Sequence, residues 1–143
     1  MALPLLLLAL LFGGVWAWAP DLDRAALEAR HGSPPSEFVT VDGLRLHLRD
    51  SAPGGTTDGR PTVVLLHGFG SSLHSWDGAL AQQHRVLRID LPGAALTGPD
   101  PSGDYSDERA VRLLAALLDA RGIARAHLVG HSMGGRIAWR FAA

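Results

Sequence analysis

Hydrophobic and polar positions follow several rhythms along this chain, and each rhythm predicts a different element. From Met1 to Ala19 no charged side chain occurs, and the centre reads Leu-Pro-Leu-Leu-Leu-Leu-Ala-Leu-Leu-Phe. As a helix this stretch would run about 28 Å, close to the hydrocarbon thickness of a bilayer. Asp21 to His31 has the polarity of a short surface helix, and Gly32-Ser33-Pro34-Pro35 breaks it. The rhythm then changes to period two. Phe38–Val41 and Leu44–Arg49 flank Asp42-Gly43, which predicts a hairpin with Leu44, Leu46 and Leu48 inward and Arg45, His47 and Arg49 outward. Thr62–Leu66 is continuously apolar, as in a parallel strand covered on both faces, and Arg85–Asp90 is the next strand. Between them Leu73, Trp76 and Leu80 recur at helical spacing, with Trp76 assigned to packing. A second helix is expected from a Ser106 cap to about Arg121. Val111, Leu114, Leu117 and Leu118 form its inner stripe, its charges form a solvated face, and Gly122 ends it.

The chemistry concentrates at the end of the last apolar run, Ala126–Val129. There the chain reads Gly130-His131-Ser132-Met133-Gly134-Gly135 and enters a helix-like segment from Met133 to Ala143. A serine between strand and helix in a G-x-S-x-G frame is a nucleophile elbow. The sharp turn lifts the Ser132 hydroxyl clear of the sheet, and it crowds the positions two before and two after, hence Gly130 and Gly134. The following helix aims free N–H groups and its positive dipole end at the serine, which suits a developing oxyanion.

With this elbow, with His67-Gly68-Phe69-Gly70 after the first parallel strand and with Asp90-Leu91-Pro92-Gly93 after the next, residues 37–143 resemble the α/β-hydrolase family. The resemblance implies an α/β fold carrying the first five strands of that family's sheet. It implies Ser132 as nucleophile, the backbone N–H groups of Phe69 and Met133 as oxyanion donors, and His67 and Gly68 as shapers of the loop. One departure stands out: the family commonly has a second glycine two residues after Gly93, where this chain has Ala95. A dinucleotide-binding unit competes for the same outline, since Gly68-x-Gly70 is followed by Asp90, but the third glycine of that fingerprint falls at Leu73.

Charge and composition remove other classes. The net charge is −1, so nothing favours nucleic acid as a partner. There is no Cys, which excludes thiol catalysis, and the seven His show no metal-ligand spacing. No cofactor or metal is implied. Residues 1–19 are read as an uncleaved membrane anchor, with Trp16 and Trp18 as interfacial aromatics, and residues 20–36 as a linker. The expected location is a bacterial-type inner membrane, or the periplasm or exterior if Ala17-Trp18-Ala19 is a cleavage site.

The family order is Ser, then an acid, then His. No Asp, Glu or His follows Ser132. The expectation is therefore an N-terminal part of the fold, inactive alone and with the edge of its last strand exposed. The whole protein is read as a serine hydrolase of carboxylic esters with a small-molecule ester or acyl substrate. A carbon–carbon bond hydrolase of the same fold is the enzymatic alternative. A non-catalytic binding protein is the alternative of another class.

Overall fold

The computed structural model describes residues 2–16, 18, 22–55, 59–77 and 79–143. Among them five strands form one mixed sheet: β1 (Glu37–Val41), β2 (Leu44–Asp50), β3 (Thr62–Leu66), β4 (Arg85–Ile89) and β5 (His127–Gly130). Their spatial order is β1-β2-β4-β3-β5. The helices are α1 (Ala2–Trp16), α2 (Arg24–His31), α3 (Asp107–Ala120) and α4 (Met133–Ala142). Asp42 and Gly43 both have positive φ, 46° and 79°, so the hairpin closes through the mirror-image turn that matches strand twist. β2 pairs antiparallel with β4, whereas β3 lies parallel to both β4 and β5. The register that matters is Leu66 opposite Gly130. It ends β3 and β5 at one level, so the chain leaving each strand arrives at the same place.

The core lies between the sheet and the two C-terminal helices. Leu44, Leu46 and Leu48 point inward with Leu66, Leu87 and Ile89, against Leu113, Leu114, Leu117 and Leu118 of α3 and Ile137 of α4. Each fully buried leucine contributes about 1.5–3 kcal/mol relative to exposure. Leu113 takes the inward place expected of Val111, which is only half-buried. Ser106 caps α3 by accepting the Arg109 N–H at 3.1 Å.

Arg109 departs from the expected solvated face. Its guanidinium is buried, donates to Asp100 at 2.8 Å and to the Asp42 carbonyl at 2.8 Å, and also pairs with the Asp42 carboxylate. One side chain thus ties α3 to the hairpin turn and to the loop at residue 100. Hydrogen bonding from Arg109, assisted by Ser102, holds the Asp100 carboxyl at about 2 against an ordinary 3.8. A depressed folded-state pKa stabilises the fold above the unfolded value, and that contribution is lost as pH falls through the folded one. The stability gap between wild type and Asp100→Asn should therefore be widest above about pH 5 and close toward pH 2. Urea titrations at stepped pH would show this, and a gap independent of pH would refute it.

The helix expected after β3 is two 3₁₀ turns, Leu73–Trp76 and Ala79–Gln82. The first is fixed at its start, where the Leu73 N–H donates to the Asp90 carboxylate at 2.7 Å, and it ends at Asp77 in extended backbone. Leu73 is buried and Leu80 is exposed. Trp76 is half-buried against Val63, Leu65 and Val86 on the opposite sheet face from α3.

Ala95, where the family pattern has glycine, adopts φ +41°. For a residue with a Cβ this region costs roughly 1–2 kcal/mol. Glycine would relieve it while loosening the unfolded chain by about 0.4–1 kcal/mol. Ala95→Gly is expected to raise stability by up to about 1 kcal/mol in denaturant unfolding. A clear loss would show that the backbone is not left-handed there.

The structure does not support the expected membrane anchor. α1 covers 15 residues, and among the described residues no helix is long and apolar enough to cross a membrane. Fifteen residues rise about 22 Å, short of a hydrocarbon core of about 30 Å. The helix exposes Leu10, Leu11, Phe12, Val15 and Trp16. Ala17 and Ala19 of the candidate cleavage site lie outside the described residues. α2 begins at Arg24, later than the expected Asp21, with Asp23 as its cap accepting the Ala25 N–H at 3.1 Å. It is fastened to the sheet: both Glu28 carboxylate oxygens accept from Arg45, at 2.8 and 2.6 Å, and Arg45 lies 3.7 Å over the Phe38 ring.

Candidate active site

β5 delivers the chain to Ser132 at φ 51°, ψ −115°, directly before α4. A side chain at positive φ stores strain on the order of 1–3 kcal/mol, and such residues cluster at functional sites. Serine before a helix ordinarily spends its hydroxyl on capping. Ser132 makes no side-chain cap bond, because the left-handed turn swings Cβ away from the helix N–H groups. Its hydroxyl is exposed and uncommitted.

Three glycines permit the turn. A Cβ on Gly130 would stand 2.3 Å from the carbonyl carbon and oxygen of Gly134. One on Gly134 would stand 2.2 Å from the Leu66 carbonyl oxygen and 2.6 Å from that of His67. Gly134 is thus confined chiefly by β3, beyond its expected crowding with Gly130. Gly135 is looser, with 3.1 Å to the Gly130 carbonyl oxygen.

The loop after β3 faces this elbow. The His131 N–H donates to the Leu66 carbonyl at 3.1 Å, and a Cβ on Gly68 would lie 3.3 Å from the Ser132 Cβ. His67 is buried, and its Nε2 accepts the Leu91 N–H at 2.9 Å. That acceptor role puts the ring proton on Nδ1, which donates to the Gly68 carbonyl at 2.7 Å. With both nitrogens engaged His67 has no lone pair for a base, and it fastens the loop to the end of β4. Phe69 is 89% exposed and Met133 half-buried. The local turns use the N–H groups of Ser71, His131 and Gly134, while those of Phe69 and Met133 have no protein acceptor among the described residues.

Beside the elbow a cleft of about 1420 Å³ is lined by Phe69, Gly70, Leu91, Met133 and Ile137, with Tyr105 and the start of α3 opposite. Typical ligand pockets enclose about 300–1,000 Å³, so the cleft has room for a small molecule.

His47, expected on the surface, is 1% exposed and pairs with Asp90 at 2.6 Å. The loop after β4 covers it: Thr97 accepts the His47 N–H at 2.9 Å and donates to the Asp90 carbonyl at 2.7 Å. The Asp90 carboxylate also accepts from Leu73 and, at 3.2 Å, from Leu96, so it organises two loops and neither oxygen is spare. Strand alternation could not reveal this, because the cover comes from residues 50 positions downstream. Among the described residues no cluster of three or more His, Asp or Glu is arranged to hold a metal ion.

A family model for the alpha/beta hydrolase fold matches residues 61–143. The chain belongs to the α/β-hydrolase family. Its five-stranded mixed sheet is part of that fold. A 2-hydroxy-6-oxononadienedioate/2-hydroxy-6-oxononatrienedioate hydrolase from Cupriavidus pinatubonensis is 35% identical over 83% of this chain and 43% of its own length. A dihydrolipoyllysine-residue acetyltransferase component of an acetoin cleaving system from Cupriavidus necator is 38% identical over 74% of the chain and 28% of its own. Among solved structures, Epoxide Hydrolase A from Mycobacterium thermoresistibile superposes with a TM-score of 0.66 at 30% identity, over 77% of this chain and 35% of that one. This hydrolase-fold chain thus spans less than half the length of these relatives.

Proposed function

We propose that Ser132 is the nucleophile of a hydrolase that opens a carboxylic ester through an acyl-enzyme. The observation carrying this reading is an exposed, uncapped serine at positive φ, with the nearby Phe69 and Met133 backbone N–H groups lacking acceptors among the described residues. The Ser132 oxygen adds to the carbonyl carbon while its proton passes to a base. The Phe69 and Met133 N–H groups take up the oxyanion, each worth on the order of 10²–10³ in rate. The C–O bond then breaks, the alcohol leaves with the proton, and water releases the acid. His67 is excluded as the base by its two hydrogen bonds, and residues 133–143 contain no Asp, Glu or His. The reading assigns base and acid to the part of the family fold that this chain does not span.

A second reading is favoured by the Cupriavidus pinatubonensis relative. A 6-oxo dienedioate contains no ester, so its hydrolysis must sever a carbon–carbon bond beside the ketone. The same serine and oxyanion donors would serve that reaction, with a carbanion protonated in place of an alcohol. Epoxide opening fits a serine poorly. Attack on an epoxide carbon would leave an ether on Ser132, which water does not readily hydrolyse.

The test is labelling of the protein, expressed from its own gene, with a fluorophosphonate probe. The expected adduct is on Ser132 by peptide mass spectrometry and disappears in Ser132→Ala. A folded protein that takes no label would replace the enzyme reading with a binding role on the hydrolase fold.

A further inference from the structure

We propose that Arg24 recognises a carboxylate at the far end of the substrate, so that the cleft takes acyl chains ending in a negative charge. The position of the reacting carbonyl in this inference rests on the Ser132 reading; the anion site itself does not.

The cleft that holds Phe69 and Met133 has a third wall, formed by Leu22, Arg24 and Leu27 on and just before α2. The charges lining it cancel almost completely. Asp107 pairs with Arg136 at 2.9 Å and with Arg140 at 3.2 Å, and Asp104 pairs with Arg112 at 3.3 Å. Arg109 is spent on Asp100 and Asp42, and both ring nitrogens of His67 are bonded. Arg24 has no carboxylate partner among the described residues. Within α2 the acid is Glu28, which has given both oxygens to Arg45, and the cap before it, Asp23, accepts the Ala25 N–H. Among the described residues Arg24 is thus the lining arginine without a carboxylate partner, in a cleft whose nearby walls include Leu22, Leu27 and Leu91.

Arg24 is also held in place. Its Nη1 donates to the Leu96 carbonyl at 3.1 Å, and the Glu28–Arg45 clamp fixes the helix that carries it. The guanidinium lies over Gly98 so closely that a Cβ there would fall 2.0 Å from Nη2 and 2.1 Å from Cζ. A guanidinium has five N–H donors in a planar fork. With one anchored to the loop, the others suit bidentate capture of a carboxylate.

The experiment uses adipate and its uncharged twin, dimethyl adipate, titrated calorimetrically into the protein expressed from its own gene. Adipate is expected to bind about ten- to a hundredfold more tightly than the diester, with the preference shrinking as salt is raised. Arg24→Gln removes the charge and keeps a polar amide, its fold is checked by thermal unfolding, and it should erase that preference; Arg24→Lys should retain part of it. No preference in wild type, or an undiminished one in Arg24→Gln, overturns the proposal. Ser132→Ala should bind adipate like wild type. Arg24-dependent binding without phosphonate labelling would sink the nucleophile reading alone, and labelling without adipate preference would sink this one alone.

Discussion

Ser132→Ala is expected to lose phosphonate labelling, and turnover of a reporter ester should fall by about 10⁴–10⁶ with KM little changed. Its stability should stay within about 0.5 kcal/mol of wild type. The combination is what makes the variant informative. A serine that caps a helix typically costs about 1 kcal/mol when cut to alanine. The Ser132 hydroxyl caps nothing and is exposed, so its removal deletes no bond that the fold uses. Alanine also inherits the same strain at φ 51°. Ser132→Gly should go further and gain up to about 1 kcal/mol, because glycine accepts that conformation without a Cβ penalty. A residue whose loss leaves the fold intact or improves it, while activity collapses, is held for chemistry alone. Thermal unfolding and ester kinetics on the same preparations would decide it. A destabilised Ser132→Ala that kept full turnover would remove the serine from the mechanism.

Features written in short-range patterns were legible before any coordinates. The Asp42-Gly43 hairpin, the apolar run of β3, the Ser106 cap and the strand–turn–helix around Ser132 each depend on residues a few positions apart. What stayed hidden depends on distant segments. Arg109 looked like part of a solvated helix face until Asp42, 67 positions away, and Asp100 closed on it. His47 looked outward until the loop after β4 folded over it. Leu73, Trp76 and Leu80 carried helical spacing, yet a hydrogen bond from Leu73 to Asp90 wins at one end and extended backbone at Asp77 cuts the segment in two. The apolar N-terminal run is the reverse case: its composition suggests a span, but among the described residues its helix covers 15 residues, too few to cross a membrane. At the site itself the motif disclosed the turn that carries Ser132 and the glycines that permit it. It could not disclose that α2 walls the cleft, since nothing in residues 22–27 resembles a binding motif.

Gly134→Ala is expected to destabilise the protein by about 3 kcal/mol, roughly 10 °C in midpoint, against the direction that helix propensity alone would give. Gly134 lies in α4, and its φ is outside the left-handed region, so backbone conformation does not demand glycine. In an exposed helix the same change would gain up to about 1 kcal/mol. Space decides otherwise. The added Cβ would meet the Leu66 carbonyl oxygen at 2.2 Å, and ordinary contact begins near 3.4 Å. The groups it meets are backbone, the Leu66 carbonyl at the end of β3 and the His67 carbonyl just after it, so no side chain can rotate aside. Either α4 lifts from β3 or the end of β3 bends, and each displaces the Met133 N–H relative to Gly68 and Phe69. Activity should therefore fall with stability, and should stay low at temperatures where the variant is still folded. Gly135→Ala is the control, since its nearest contact is a milder 3.1 Å and its cost should stay below about 1 kcal/mol. If Gly134→Ala proved as stable and active as that control, the helix would not approach β3 this closely. The proposed pairing of Phe69 and Met133 as oxyanion donors would then lose its structural basis, because that proposal depends on the approach of α4 to the end of β3.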